Sequence, residues 1–219
     1  MDTEYQEYHK PNLKITPHEK APLFSSSDSQ LKLQHVINEF RSGTFSTSMK
    51  SEFYELFRQL GFVNLWVFLV LIAGFDGPYN KLTDHLHAEM TNFYQDELYP
   101  GAKAACLIGR AHYKSSVFTH GGNTWELLRD PDQSIGMACG VEERAIEFLG
   151  YTIDTFTSNE LFKWLYPEYH IPNFKSADGC NQYMLTLPNK KMNRRQPNIK
   201  TMTAGGSTAG IHVDLLKLD

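Results

Sequence analysis

The sequence predicts an α/β fold: a parallel sheet flanked by helices, preceded by a helical N-terminal region. Two observations carry this. From about residue 101, short apolar runs alternate with amphipathic segments of helical length, which is the order of a sheet built with right-handed crossovers. From about residue 30 to that point the apolar spacing is helical. The 219 residues, 41% of them hydrophobic, suffice for a core. The expected organisation is a flexible arm over 1–29, a helical region over 30–100 and an α/β core over 101–219.

Residues 1–29 mix charges, prolines and the Ser25-Ser26-Ser27 tract, a composition that predicts a mobile arm. Helical periodicity begins near Gln30 and resumes at Phe53, Leu56, Phe57 and Leu60. Phe62 to Phe75 is apolar but contains Asn64 and stops at Asp76-Gly77-Pro78; it is short for a bilayer span and reads as a buried helix. Lys81 to Tyr99 predicts an amphipathic helix with Leu82, Leu86, Met90, Phe93, Tyr94 and Leu98 on one face. Its Asp84, His85, His87 and Glu89 read as a solvated face, since residues two apart diverge on a helix while His85 and Glu89 can meet.

Ala104 to Ile108 is small and apolar and predicts a strand. Gly109 to Tyr113 is then a loop, and a helix runs from Lys114 to about Arg129, ended by Asp130-Pro131-Asp132. Strand, loop, and a helix opening on Lys114-Ser115-Ser116 is the layout of a phosphate-binding loop. Backbone N–H groups and the helix N-terminus surround a polyphosphate, the lysine reaches its terminal phosphates, and the next hydroxyl binds Mg²⁺. The pattern G-x-x-x-x-G-K-[ST] asks for glycine where Ile108 and Tyr113 stand. A Lys-Ser-Ser helix start is also an ordinary N-terminus.

Ser134 to Ala138 predicts the next strand and Val141 to Phe156 the next helix, with Val141, Ala145, Phe148, Leu149, Thr152, Ile153 and Phe156 on its apolar face. A helix fragment follows at Asn159 to Trp164, then strands at Tyr183 to Leu187 and Ile199 to Thr203. Between these strands lies the densest cationic run, with Lys190, Lys191, Arg194 and Arg195. It is an exposed loop or a phosphate-backbone contact. After the glycine-rich Ala204 to Gly210, an apolar strand ends in Asp219, either a core strand with a terminal aspartate or the carboxylate that nucleoside-triphosphatases direct at Mg²⁺.

A formal net charge of −4 excludes a protein that coats nucleic acid over its whole surface and leaves room for a local basic patch. Cys106, Cys139 and Cys180 lack metal-site spacing and cannot all pair, so a reducing cytosol fits best. No apolar signal-peptide core opens the chain, and no membrane association is expected.

Four stretches together resemble the ATPase region of tailed-bacteriophage terminase large subunits. They are GRAHYKSS at Gly109 to Ser116, TWELLRDPDQSI at Thr124 to Ile135, ERAIEFLG at Glu143 to Gly150 with LFKWLYPEY at Leu161 to Tyr169, and GGSTAGIHVDLLKLD at Gly205 to Asp219. The family's loop has a P-R-G-x-x-K-[ST]-[ST] form, from which this chain departs at Gly109 and Ala111. The resemblance implies an ASCE-type P-loop nucleoside-triphosphatase, incomplete at the C-terminus. ATP would lie along Gly109, Arg110, Ala111, His112, Tyr113, Lys114, Ser115 and Ser116. Lys114 would contact the terminal phosphates, Ser115 and Asp219 would ligate Mg²⁺, and Arg110 would approach the phosphates.

The same resemblance implies a motor that drives double-stranded DNA into a procapsid in the cytoplasm of an infected bacterial host. Its partners would be a portal protein, a small terminase subunit and further copies in a ring. The family places an acidic, water-orienting residue after the position of Asp219 and an arginine where Ala209 stands, so this chain is expected to bind ATP and turn it over poorly. A P-loop kinase and a non-catalytic nucleotide-binding piece of a split terminase are the alternatives.

Overall fold

The computed structural model describes residues 47–75, 82–97, 101–191, 196–203 and 212–219. The N-terminal arm, the periodicity from Gln30 and the glycine-rich 204–210 turn fall outside them. The chain divides into two compact units, Met1–Ala105 and Cys106–Asp219.

The first unit is helical: α1 (Thr47–Val63), a short α2 (Leu65–Val67) widening into a π turn over Phe68–Ile72, and α3 (Asp84–Glu97). Asn64 separates α1 from α2 because its side chain accepts the Val67 amide at 2.9 Å, giving the new helix an N-cap. Gln95 of α3 bridges the same break, accepting from the Leu65 amide at 2.7 Å and donating to the Val63 carbonyl at 3.2 Å. The run Leu65 to Leu69 is buried, as expected of an interior helix. Among the described residues no helix is long and apolar enough to cross a membrane. His85 does meet Glu89 on an exposed face, at 4.0 Å. His87 departs from the solvated reading: it is buried, and its Nδ1 accepts the Thr83 amide at 2.7 Å, capping α3 from within.

The second unit is α/β. A π turn over Ser116–Gly121 leads into α4 (Gly122–Arg129), then β1 (Ile135–Cys139), α5 (Glu142–Ser158), α6 (Glu160–Leu165), β2 (Met184–Leu185), β3 (Ile199–Thr203) and β4 (Leu215–Leu218). The sheet order is β2-β3-β1-β4. β1 is parallel to both neighbours, with Ile135 beside Ile199 and Leu215, while β2 runs antiparallel to β3. The sheet is therefore mixed rather than wholly parallel.

Acidic Glu142 and Glu143 open α5, favourably for its dipole, and Ala145, Leu149, Thr152 and Phe156 recur at helical spacing on its buried face. Val141 is expelled from that face: it is extended and exposed just before the first turn. Asn159 ends α5 and caps α6 by accepting the Phe162 amide at 2.9 Å. Tyr169 donates its hydroxyl to the Leu128 carbonyl at 2.7 Å, satisfying an orphan group at the end of α4. Fully buried Asn198 accepts the Leu187 amide and donates to the Pro131 and Gln133 carbonyls, so the loops feeding β1 and β3 are held together.

The expected strand Ala104–Ile108 does not form. The segment is irregular, and Leu107 is 98% exposed. A strand exists only through its ladder, and neither sheet edge pairs with this segment.

Candidate functional site

The candidate site is assembled at the carboxyl end of the parallel strands, where ligands of open α/β sheets bind. The Asp219 amide donates to the Ala138 carbonyl at 3.0 Å, which fixes this residue just beyond β4 and beside the end of β1. Its carboxylate faces the helix that follows the Gly109–Tyr113 loop. Lys114 Nζ lies 3.5 Å from Asp219 Oδ1, with side-chain exposures of 38% and 12%. A carboxylate so sheltered is screened less than a surface one. Thr119 Oγ1 donates to Asp219 Oδ2 at 2.7 Å.

The loop itself has an unusual backbone. Ala111 has φ 64° and Tyr113 φ 52°, both left-handed, a region other residues enter at a cost. These are two of the positions at which the loop patterns place glycine. Gly109 has no positive φ, and a Cβ there would come within 3.3 Å of the His112 ring. His112 Nδ1 is 2.8 Å from the Arg110 carbonyl, folding the loop on itself. Arg110, Ala111 and His112 are exposed, while Tyr113, Lys114, Ser115 and Ser116 are half-buried. Ser115 makes no capping hydrogen bond with its side chain.

Comparison with protein-family models, with curated proteins and with solved structures gives no match.

The site's chemistry thus rests on its own residues. Below the carboxylate, Lys217 Nζ donates to the Phe118 carbonyl at 2.8 Å. Burial pushes this ammonium down to about 7, opposed by the Glu126 carboxylate. His120 Nε2 is 3.1 Å from Thr155 Oγ1, and its ring stacks on Tyr151 with centroids 5.7 Å apart. Burial pushes His120 down to about 4, opposed by a backbone hydrogen bond at Tyr151. The histidine is therefore neutral at physiological pH. Burial raises the Cys106 and Cys139 thiols, and all three cysteines are free.

Thr119, Lys217 and His120 were not singled out from the sequence. Thr119 had one available signal: it follows Ser115 by four residues and so shares its helix face. The cationic loop lies apart in its contacts. Lys190 donates its ammonium to the Gln196 carbonyl, and the Lys191 amide donates to Asp132 Oδ1 at 2.6 Å. Lys191 is exposed; Arg194 and Arg195 lie outside the described residues.

Proposed function

We propose that Gly109–Ser116 is a phosphate-binding loop for Mg-ATP, and that the chain is the ATPase portion of a DNA-packaging motor of the terminase large-subunit kind, with a P-loop core. What supports the reading above all is the approach of Lys114 to Asp219, 3.5 Å between the lysine of one motif and the aspartate of the other. The left-handed Ala111 and Tyr113 add to it, because such a backbone turns successive N–H groups toward one concave side, suited to an anion.

The donor set fits Mg²⁺. Among the described residues no three His, Cys, Asp or Glu gather as a cage, and Mg²⁺ ordinarily takes one or two carboxylates and completes its shell with phosphate and water. Asp219 and the Ser115 hydroxyl would hold it. When bound, Mg²⁺ offsets the charge developing on a transferring phosphoryl group. Lys114, now paired with Asp219, would exchange that carboxylate for the terminal phosphates, and the loop amides would bind the remaining oxygens. Exposed Arg110 would flank them. Double-stranded DNA is the partner to which turnover would be coupled.

Calorimetry with Mg-ATP tests the site. Lys114→Ala removes a charge-assisted contact of about 1.5–3 kcal/mol, so affinity should fall about ten-fold or more. Equal binding by both chains would remove the reading. Because slow turnover is expected of this chain, double-stranded DNA binding read by fluorescence anisotropy across a salt series tests the motor: no salt-dependent binding would leave only a nucleotide-binding module.

A further inference from the structure

The carboxylate at the centre of the site is held from both oxygens by one helix. Lys114 approaches Oδ1, and Thr119 donates to Oδ2 at 2.7 Å. Thr119 is 3% exposed. A hydroxyl so enclosed requires a protein partner, and a bond to an ionised acceptor is among the stronger kinds. Directly beneath, the Phe118 carbonyl accepts from Lys217, so two consecutive residues of the Ser116–Gly121 π turn bond two alternate residues of the Asp219-bearing segment. π turns of this kind concentrate at functional sites.

An aspartate left to itself rotates about χ2 and offers either oxygen. Here the buried hydroxyl occupies one and leaves the other for a cation. We propose that Thr119 is a positioning residue for Asp219: it orients the carboxylate so that Oδ1 is presented to the cation, the Lys114 ammonium in this structure and Mg²⁺ when nucleotide is bound. The inference rests on the phosphate-loop reading and adds to it Thr119, a residue outside the loop motif.

The test is calorimetric titration with ATP, with Mg²⁺ and with a chelator, on the wild-type chain and on Thr119→Val, Thr119→Ser, Asp219→Asn and Lys114→Ala. Thr119→Val should weaken Mg-ATP about ten-fold and Mg-free ATP by no more than about two-fold, with Thr119→Ser restoring Mg-ATP to within about two-fold of wild type. In the Asp219→Asn background, Thr119→Val should add no further loss, since the two act as one unit. If Thr119→Val perturbs folding, Thr119→Ser and Asp219→Asn still decide: Mg²⁺-selective loss in the second with retention in the first supports the assignment. Wild-type Mg-ATP affinity in Thr119→Val, or equal loss with and without Mg²⁺, would overturn it while a weakened Lys114→Ala keeps the loop reading. Unchanged binding by Lys114→Ala would overturn both.

Discussion

His120 makes the stability of the second unit depend on pH in a window that can be isolated. The imidazole sits in the π turn against Thr155 and Tyr151 of α5, and its pKa falls from 6.5 to about 4 on folding because burial disfavours the cation. Between those values the unfolded chain binds the proton and the folded chain does not, so stability is fully present above 6.5 and is lost as pH falls toward 4. At about 1.4 kcal/mol per pKa unit the full effect is about 3 kcal/mol. The residue keeps a partly exposed edge, so about 2 kcal/mol is the better expectation. Urea unfolding at a series of pH values from 7.5 to 4.5, on wild type and His120→Phe, reads it. Phenylalanine keeps the stack on Tyr151 but cannot titrate, and carboxylates that titrate at the acid end do so in both chains. Wild type should lose about 2 kcal/mol more than the variant across the window. Parallel curves would refute the burial argument.

Ala111→Gly should raise stability by about 0.5–1 kcal/mol in urea, since it relieves a left-handed residue at an exposed position; a loss would mean the loop backbone is not left-handed there. On the motor reading, neutralising Lys190, Lys191, Arg194 and Arg195 together should flatten the salt dependence of double-stranded DNA binding by up to about 3 in log–log slope, from Lys191, Arg194 and Arg195. Lys190→Ala alone should leave that slope unchanged, because its ammonium already caps the Gln196 carbonyl; fluorescence anisotropy across a salt series distinguishes the two.

Legibility in the sequence followed whether a signal was local. The strands Ile135–Cys139 and Ile199–Thr203 and the helix Glu142–Ser158 emerge within a few residues of expectation, because their apolar runs and periodicity are carried by their own residues. Ala104–Ile108 read equally well as a strand and is not one, since an apolar run says nothing about who supplies the ladder. β2 lies within the expected strand Tyr183 to Leu187, but its antiparallel direction is not legible, because direction is set by pairing and not by composition. Within the candidate site, Lys114 and Asp219 were legible as motif residues. Tyr113 looked like a departure from the loop pattern, yet its φ of 52° supplies the conformation for which the pattern reserves glycine. Thr119 carries only its spacing from Ser115 as a signal and otherwise resembles a helix-core residue, and Lys217 reads as a surface charge, until β4 sets their partners beside them.

The bond between Thr119 and Asp219 joins residues 100 positions apart. Nothing local can assemble such a site. The carboxylate reaches the helix after the loop only when β4 docks on β1, a non-local step that must meet its loop-closure entropy before any contact compensates it. A nucleotide that needs both halves would therefore act late in folding, slowing unfolding more than it speeds refolding. The kinetics of its capture during refolding would time the closing of the sheet.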